Sequence, residues 1–154
     1  MELCFLQRAI ELASENVARG GGPFGCVIVR AGQIIAAEAN QVTPPHDPTA
    51  HAEVQAIRAA CAALKSHQLD GCDLYASCEP CPMCLGAIYW ARPRAVYFAA
   101  SRHDAARAGF DDELIYRELN RPPAERRIAM KHYPVDEADA PFARWIALEN
   151  RRTY

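Results

Sequence analysis

No run in this chain is apolar for long enough to cross a bilayer, which takes about 20 consecutive residues in a helix. The opening "MELCFLQRAIELASEN" carries acids through its apolar pattern and so is not expected to be an export signal. An excess of basic charge is missing too. Lys and Arg number 17 against 19 Asp and Glu, a net charge of −2. No overall field draws such a chain to nucleic acid or anionic lipid, so no nucleic-acid partner and no membrane association are expected. Internal repeats, low-complexity tracts and linkers are absent, so residues 1–154 are expected to form one domain, long enough to bury a core. The seven cysteines are an odd number. They read as reduced thiols and metal ligands of a cytoplasmic protein better than as a disulfide framework.

What is present alternates between helix and strand patterns. Leu3, Leu6, Ile10, Ala13 and Val17 recur at helical spacing, predicting an amphipathic N-terminal helix with that stripe inward. "RGGGPFG" ends it, and "CVIVR" reads as a buried strand. The glycine run is no phosphate cradle, because it precedes a strand and no Lys-Ser/Thr follows. Ala31-Gly32 then turns the chain into "QIIAAEAN", giving a hairpin. Further on, "QVTPPHDPT" is a loop with a helix-start signal: Asp47 or Thr49 as cap and Pro48 at the first helical position. The helix is expected through "HAEVQAIRAACAALK". A strand "CDLYAS", a short helix "CPMCLGAIYWA" opened by Pro80 or Pro82, and a strand "RAVYFAA" follow. Last come a helix "DDELIYREL", a short strand over residues 127–133 and a helix "ADAPFARWIALENRR". Strands that alternate with helices imply an α/β fold with a largely parallel sheet covered on both faces.

The chemistry concentrates in "HAE" at His51–Glu53 and "PCPMC" at Pro80–Cys84. Cys81 and Cys84, three apart in a first helical turn, lie on one face and can clasp a single ion. The positive end of the helix dipole there favours the thiolate that binds zinc. His51 can be a third, neutral ligand. Two positions apart in mid-helix would turn His51 and Glu53 to nearly opposite sides, but at an opening turn both can reach over the rim. That spacing suits a helix end facing the metal, with Glu53 beside a fourth, water-filled position. Three protein ligands plus water is the catalytic zinc arrangement. H-x-E joined to P-C-x-x-C is the pattern of zinc deaminases, in which the glutamate moves protons and is no ligand. Cys78 ends a strand, off the helical face of Cys81 and Cys84, and is expected to be a packed thiol. Its rival role is fourth donor in a closed structural site with His51, Cys81 and Cys84, which leaves Glu53 without a purpose.

At these residues the chain resembles the cytidine deaminase-like superfamily, and within it the bacterial guanine deaminases. "GGPFG", "DPTAHAEV", "SCEPCPMCLGAIYWARP", "DAARAGFDD" and the terminal Tyr154 carry the likeness over nearly the whole chain. "HAE" with "PCPMC" specifies only the superfamily, whereas "GAIYWARP", "AGFDD" and Tyr154 favour the guanine branch. The resemblance implies a three-layer α/β/α fold with a five-stranded mixed sheet and one Zn2+ per subunit on His51, Cys81 and Cys84. It implies hydrolytic deamination of a small-molecule nucleobase, guanine to xanthine and ammonia, with Glu53 catalytic. It also implies a homodimer in which the segment from about 138 to 154 swaps between subunits. The likeness places Asp112 on the donors of guanine and Asn40 on its other edge. Phe24, Trp90 and Tyr154 are candidates to sandwich the ring, and the backbone N–H of Ala52 to bind it. The competing functions are deamination of another free base or an aminotriazine (cytosine, ammeline), tRNA adenosine deamination, and a zinc-stabilised binding module.

Overall fold

The computed structural model describes residues 2–43 and 46–153. Helix α1 (Leu3–Ala18) leads into the hairpin β1 (Gly25–Arg30) and β2 (Gln33–Ala39). Ala31 and Gly32 both take positive φ, 50° and 77°, the two-residue turn whose twist matches the strands it joins. Helix α2 (Ala52–Leu64), strand β3 (Cys72–Cys78), helix α3 (Pro82–Ala91) and strand β4 (Ala95–Ala100) follow. Short helices α4 (Arg102–Arg107) and α5 (Glu113–Leu119), a 3-10 turn (Pro123–Glu125) and α6 (Ala140–Ala147) complete the order. Among the described residues no helix is long and apolar enough to cross a membrane.

The sheet runs β2-β1-β3-β4. Strand β1 is antiparallel to both β2 and β3, and only β3 and β4 are parallel. This corrects the expectation of a largely parallel sheet. Strands β2 and β3 do run the same way through the α2 crossover, but β1 lies between them and opposes each. The strand expected over 127–133 is not formed, so the described sheet has four strands where five were expected. Ile128, Met130 and Tyr133 stay exposed there, with no sheet face under them to reward a strand.

Side chains that alternate along the strands build two separate cores. Cys26, Ile28, Leu74 and Ala76 face Ala52, Ala56 and Ala60 of α2 and Ile88 and Ala91 of α3. Val27, Val29 and Tyr75 face Phe5, Ala9 and Leu12 of α1. The result is three layers, with both faces of β1 and β3 buried. Cutting Leu74 back to Ala would cost about 2–5 kcal/mol, the usual range for a fully buried leucine.

Helix α1 is rotated from its expected setting. Phe5, Ala9, Leu12, Ala13 and Asn16 are buried, whereas Leu3, Ile10 and Val17 are exposed. The reason is a close approach of backbones: any side chain at Gly25 would strike the carbonyl oxygen of Ala9. The helix therefore turns its small residues to the sheet. The start of α2 also differs. Asp47 Oδ1 accepts from the Thr49 N–H (2.8 Å) and hydroxyl (2.7 Å), a local turn, so it does not cap the helix. His51 is the N-cap residue and offers no side-chain cap.

By contacts the chain divides into Met1–Glu113 and Leu114–Tyr154. The first unit holds both cores. In the second no described residue is buried.

Candidate active site

Two helix starts deliver the reactive side chains. Residues His51 and Cys81, both in extended conformation, are the N-cap positions of α2 and α3, and neither side chain caps its own helix. Both are turned to one another instead. His51 Nδ1 lies 3.5 Å from Cys81 Sγ and 3.5 Å from Cys84 Sγ. The three donor atoms fall within 4.8 Å of one another. Zinc–sulfur and zinc–nitrogen bonds in a tetrahedron imply a donor-to-donor edge of ~3.6 Å, which the two His51–thiol distances match. Pro82 occupies the first position of α3 and starts the helix directly after Cys81, bringing Cys84 round to the same side.

The electrostatics suit a cation. The Cys81 thiol is held down to about 4 by hydrogen bonding from Cys84 and then from His51, so it is a thiolate. Cys84, sharing its proton with that thiolate and buried, is pushed far up until a cation takes the proton's place. The His51 imidazolium is favoured first by its hydrogen bond to Cys81.

Glu53 is buried, 7 % exposed, in the first turn of α2. Burial raises its carboxyl above the ordinary 4.5. It lies near Cys84, outside the three-donor cluster. Cys78 is apart as well. Its Sγ–H points to the Ser101 carbonyl at 3.5 Å, and burial pushes the thiol up to about 11. Among the described residues the zinc cluster thus consists of His51, Cys81 and Cys84, and the closed four-donor site is not formed.

Around the cluster, the Asp112 carboxyl is half-buried and raised by that burial and then by the Cys81 charge. Phe24 meets Phe110 edge to face, with centroids 5.0 Å apart at 86°. Asn40 is buried at the end of β2, and its Oδ1 accepts from the Val42 N–H at 3.2 Å. Ala52 is fully buried, and as the first residue of α2 its N–H has no partner within the helix. Trp90 sits nearly two turns past Cys84 on α3 and stays exposed. Tyr154 lies outside the described residues.

Sequence reasoning missed three features here. Phe110 was not singled out, though it carries the edge contact to Phe24. Helix α4 was not predicted, although Ser101 and Asp104 spell a capping box in which each side chain holds the other's backbone N–H. The third is Glu79, whose carboxylate accepts from the Arg102 N–H at 3.0 Å, tying the end of β3 to α4. Three nearby arginines pair with acids: Arg94 forks onto Asp73, Arg107 pairs with Asp104, and Arg102 lies 3.7 Å from Glu113.

Residues 2–100 match the model of the cytidine and deoxycytidylate deaminase zinc-binding region. The chain belongs to this family. Within these zinc deaminases it is 57 % identical over 151 residues to the guanine deaminase of Bacillus subtilis, covering 97 % of each chain. The X-ray structure of guanine deaminase from Bacillus subtilis superimposes with a TM-score of 0.98 at 55 % identity, over 100 % of this chain and 99 % of that one. A tRNA-specific adenosine deaminase of Aquifex aeolicus is 37 % identical over 134 residues, 87 % of this chain and 86 % of its own.

Proposed function

We propose that this zinc deaminase hydrolyses guanine to xanthine and ammonia. The observation that carries the reading is the strength of the likeness through the whole chain. Identity to a guanine deaminase is 57 % through 97 % of the chain, against 37 % through 87 % for the tRNA-specific adenosine deaminase.

His51, Cys81 and Cys84 would hold the ion. Bound there, zinc supplies a Lewis acid that brings the pKa of water near neutral. Glu53 takes a proton from the attacking water and passes it to N3 of guanine as the oxygen adds to C2. It then moves the second proton, from the new C2 hydroxyl, to the exocyclic amine, which leaves as ammonia. Burial raises its carboxyl above the ordinary value, which favours the protonated form it takes between those transfers. Asp112 receives the N1–H and amino donors. Asn40 and the Ala52 N–H meet the other groups of the base, and Phe24, Trp90 and Tyr154 cover its faces. Asn40 Oδ1 is already bonded to Val42, so the Nδ2 hydrogens are what it offers, suited to an acceptor on the ring.

The assembly in this reading is a homodimer of one-domain subunits, with residues from about 138 swapped so that each Tyr154 closes the partner's pocket. Supporting it, Phe142 is 70 % and Ile146 65 % exposed on α6, a face in want of a cover. Strand β4 is paired on one edge only among the described residues, leaving room for a fifth strand on assembly. Seven free thiols suit a reducing, cytoplasmic location.

A panel of free guanine, cytosine, ammeline and tRNA, followed by ammonia release and inosine formation, tests the reading. Guanine should turn over fastest, and inosine formed in tRNA with guanine untouched would overturn it.

A further inference from the structure

Asn16 is a polar residue on a face that is otherwise Phe5, Ala9, Leu12 and Ala13. A buried carboxamide costs stability unless its hydrogens are used, and both are. Nδ2 donates to the Gly22 carbonyl at 2.8 Å and to the Asn40 carbonyl at 2.8 Å. The first acceptor lies in the glycine run leading to Phe24, and the second is the backbone of the residue that ends β2. These two segments also bond directly: the Asn40 N–H donates to the Phe24 carbonyl at 3.0 Å, and the Phe24 N–H to Gly22 at 2.9 Å. The glycines are fitted to the amides. A side chain at Gly21 would strike Asn16 Nδ2, and a Cβ at Gly22 would lie 3.1 Å from Asn40 Oδ1. The Asn16 carbonyl in turn accepts the N–H groups of Arg19 and Gly21.

We infer that Asn16 is a positioning residue for the base: its amide fixes the loop and strand end that aim Asn40 and Phe24, and the glycine run exists to admit it. This rests on the proposed contact of Asn40 with the substrate. Helix packing alone would be served by Ala or Leu, which have better helix propensity. The zinc ligands and Glu53 make none of these hydrogen bonds. The loss of Asn16 therefore acts on substrate grip and leaves the chemical step nearly intact.

The test uses the full-length, zinc-loaded enzyme and steady-state kinetics on guanine. Asn16→Ala should raise KM about tenfold, the worth of two neutral hydrogen bonds transmitted to one contact. Its kcat should stay within about threefold of wild type and its zinc at one per chain, since the metal end is untouched. Gly21→Ala leaves Asn16 in place but crowds its amide, so it should raise KM in the same way. It carries the test if Asn16→Ala fails to fold. Asn40→Ala should raise KM further, and Asn16→Ala added to it should change nothing more. An unchanged KM in both Asn16→Ala and Gly21→Ala would overturn the inference. So would losses in the double variant that multiply, or a fall in kcat and zinc with KM unmoved. If Asn40→Ala itself leaves KM unchanged, the proposed substrate contact falls and the inference with it. If Asn40→Ala is impaired while Asn16→Ala is not, the inference alone falls.

Discussion

Up to Glu113 the chain buries apolar side chains on both faces of its sheet and assembles the whole zinc cluster, whereas from 114 to 153 no residue is buried. The second stretch is not poor in apolar residues. It includes Ile128, Met130, Tyr133, Val135, Phe142 and Ile146, and all of them are exposed. One part therefore buries a core of its own, and the apolar side chains of the other, in the proposed dimer, meet the partner subunit. Chemistry belongs to the first part and, in the proposed dimer, closure over the substrate belongs to the second.

The sharpest separation of these roles is Glu53→Gln. It should lower kcat by about 10²–10⁴-fold, the usual worth of general acid–base transfer, while zinc content and solution mass stay as in wild type. Retained turnover in the zinc-loaded variant would move the proton chemistry elsewhere. Removal of residues 151–154 acts on the other part. Base–aromatic stacking of about 1–3 kcal/mol corresponds to roughly a 5- to 150-fold loss of kcat/KM, with zinc retained. Full activity in a truncated monomer would contradict the swap.

Cys78→Ala is the milder test within the first part. Zinc and kcat should remain, and a buried thiol lost from packing should cost about 0.5–3 kcal/mol, read as a lower Tm. Loss of zinc would restore Cys78 as a ligand. The smallest effect is expected at Asp104. Its bonds to Ser101, then its pairing with Arg107, hold the carboxyl at about 2, below the ordinary 3.8. A depressed carboxyl adds stability that is fully present above 3.8 and is lost as pH falls toward about 2. Asp104→Asn should therefore lower Tm slightly at pH 7, with the difference from wild type closing below pH 3 in a Tm-against-pH series.

Much of the first part was legible because its signals are local. His51 and Glu53 two apart make sense only at a helix start, and Cys81 with Cys84 only on one helical face; both hold in the structure. Ala31-Gly32 fixed the hairpin in the same way. What escaped was set by approach between distant segments. Hydrophobicity favours Ile10 and Val17 for the inner face of α1, but the backbone at Gly25 comes too close for them and selects Ala9. Asn16 looks like a misplaced polar residue until the carbonyls of Gly22 and Asn40 are found at its amide. Strand direction escaped as well, since β1 between β2 and β3 cannot be read from the order of elements.

The two tryptophans fall one to each part, Trp90 on α3 and Trp145 on α6. Intrinsic fluorescence thus comes with two separately addressable emitters. With Trp145→Phe the remaining indole reports on the helix that begins at Cys81, and with Trp90→Phe on the C-terminal stretch. Emission shifts on dilution or on adding a purine would then tell separation of the proposed dimer from ligand entry in a single cuvette.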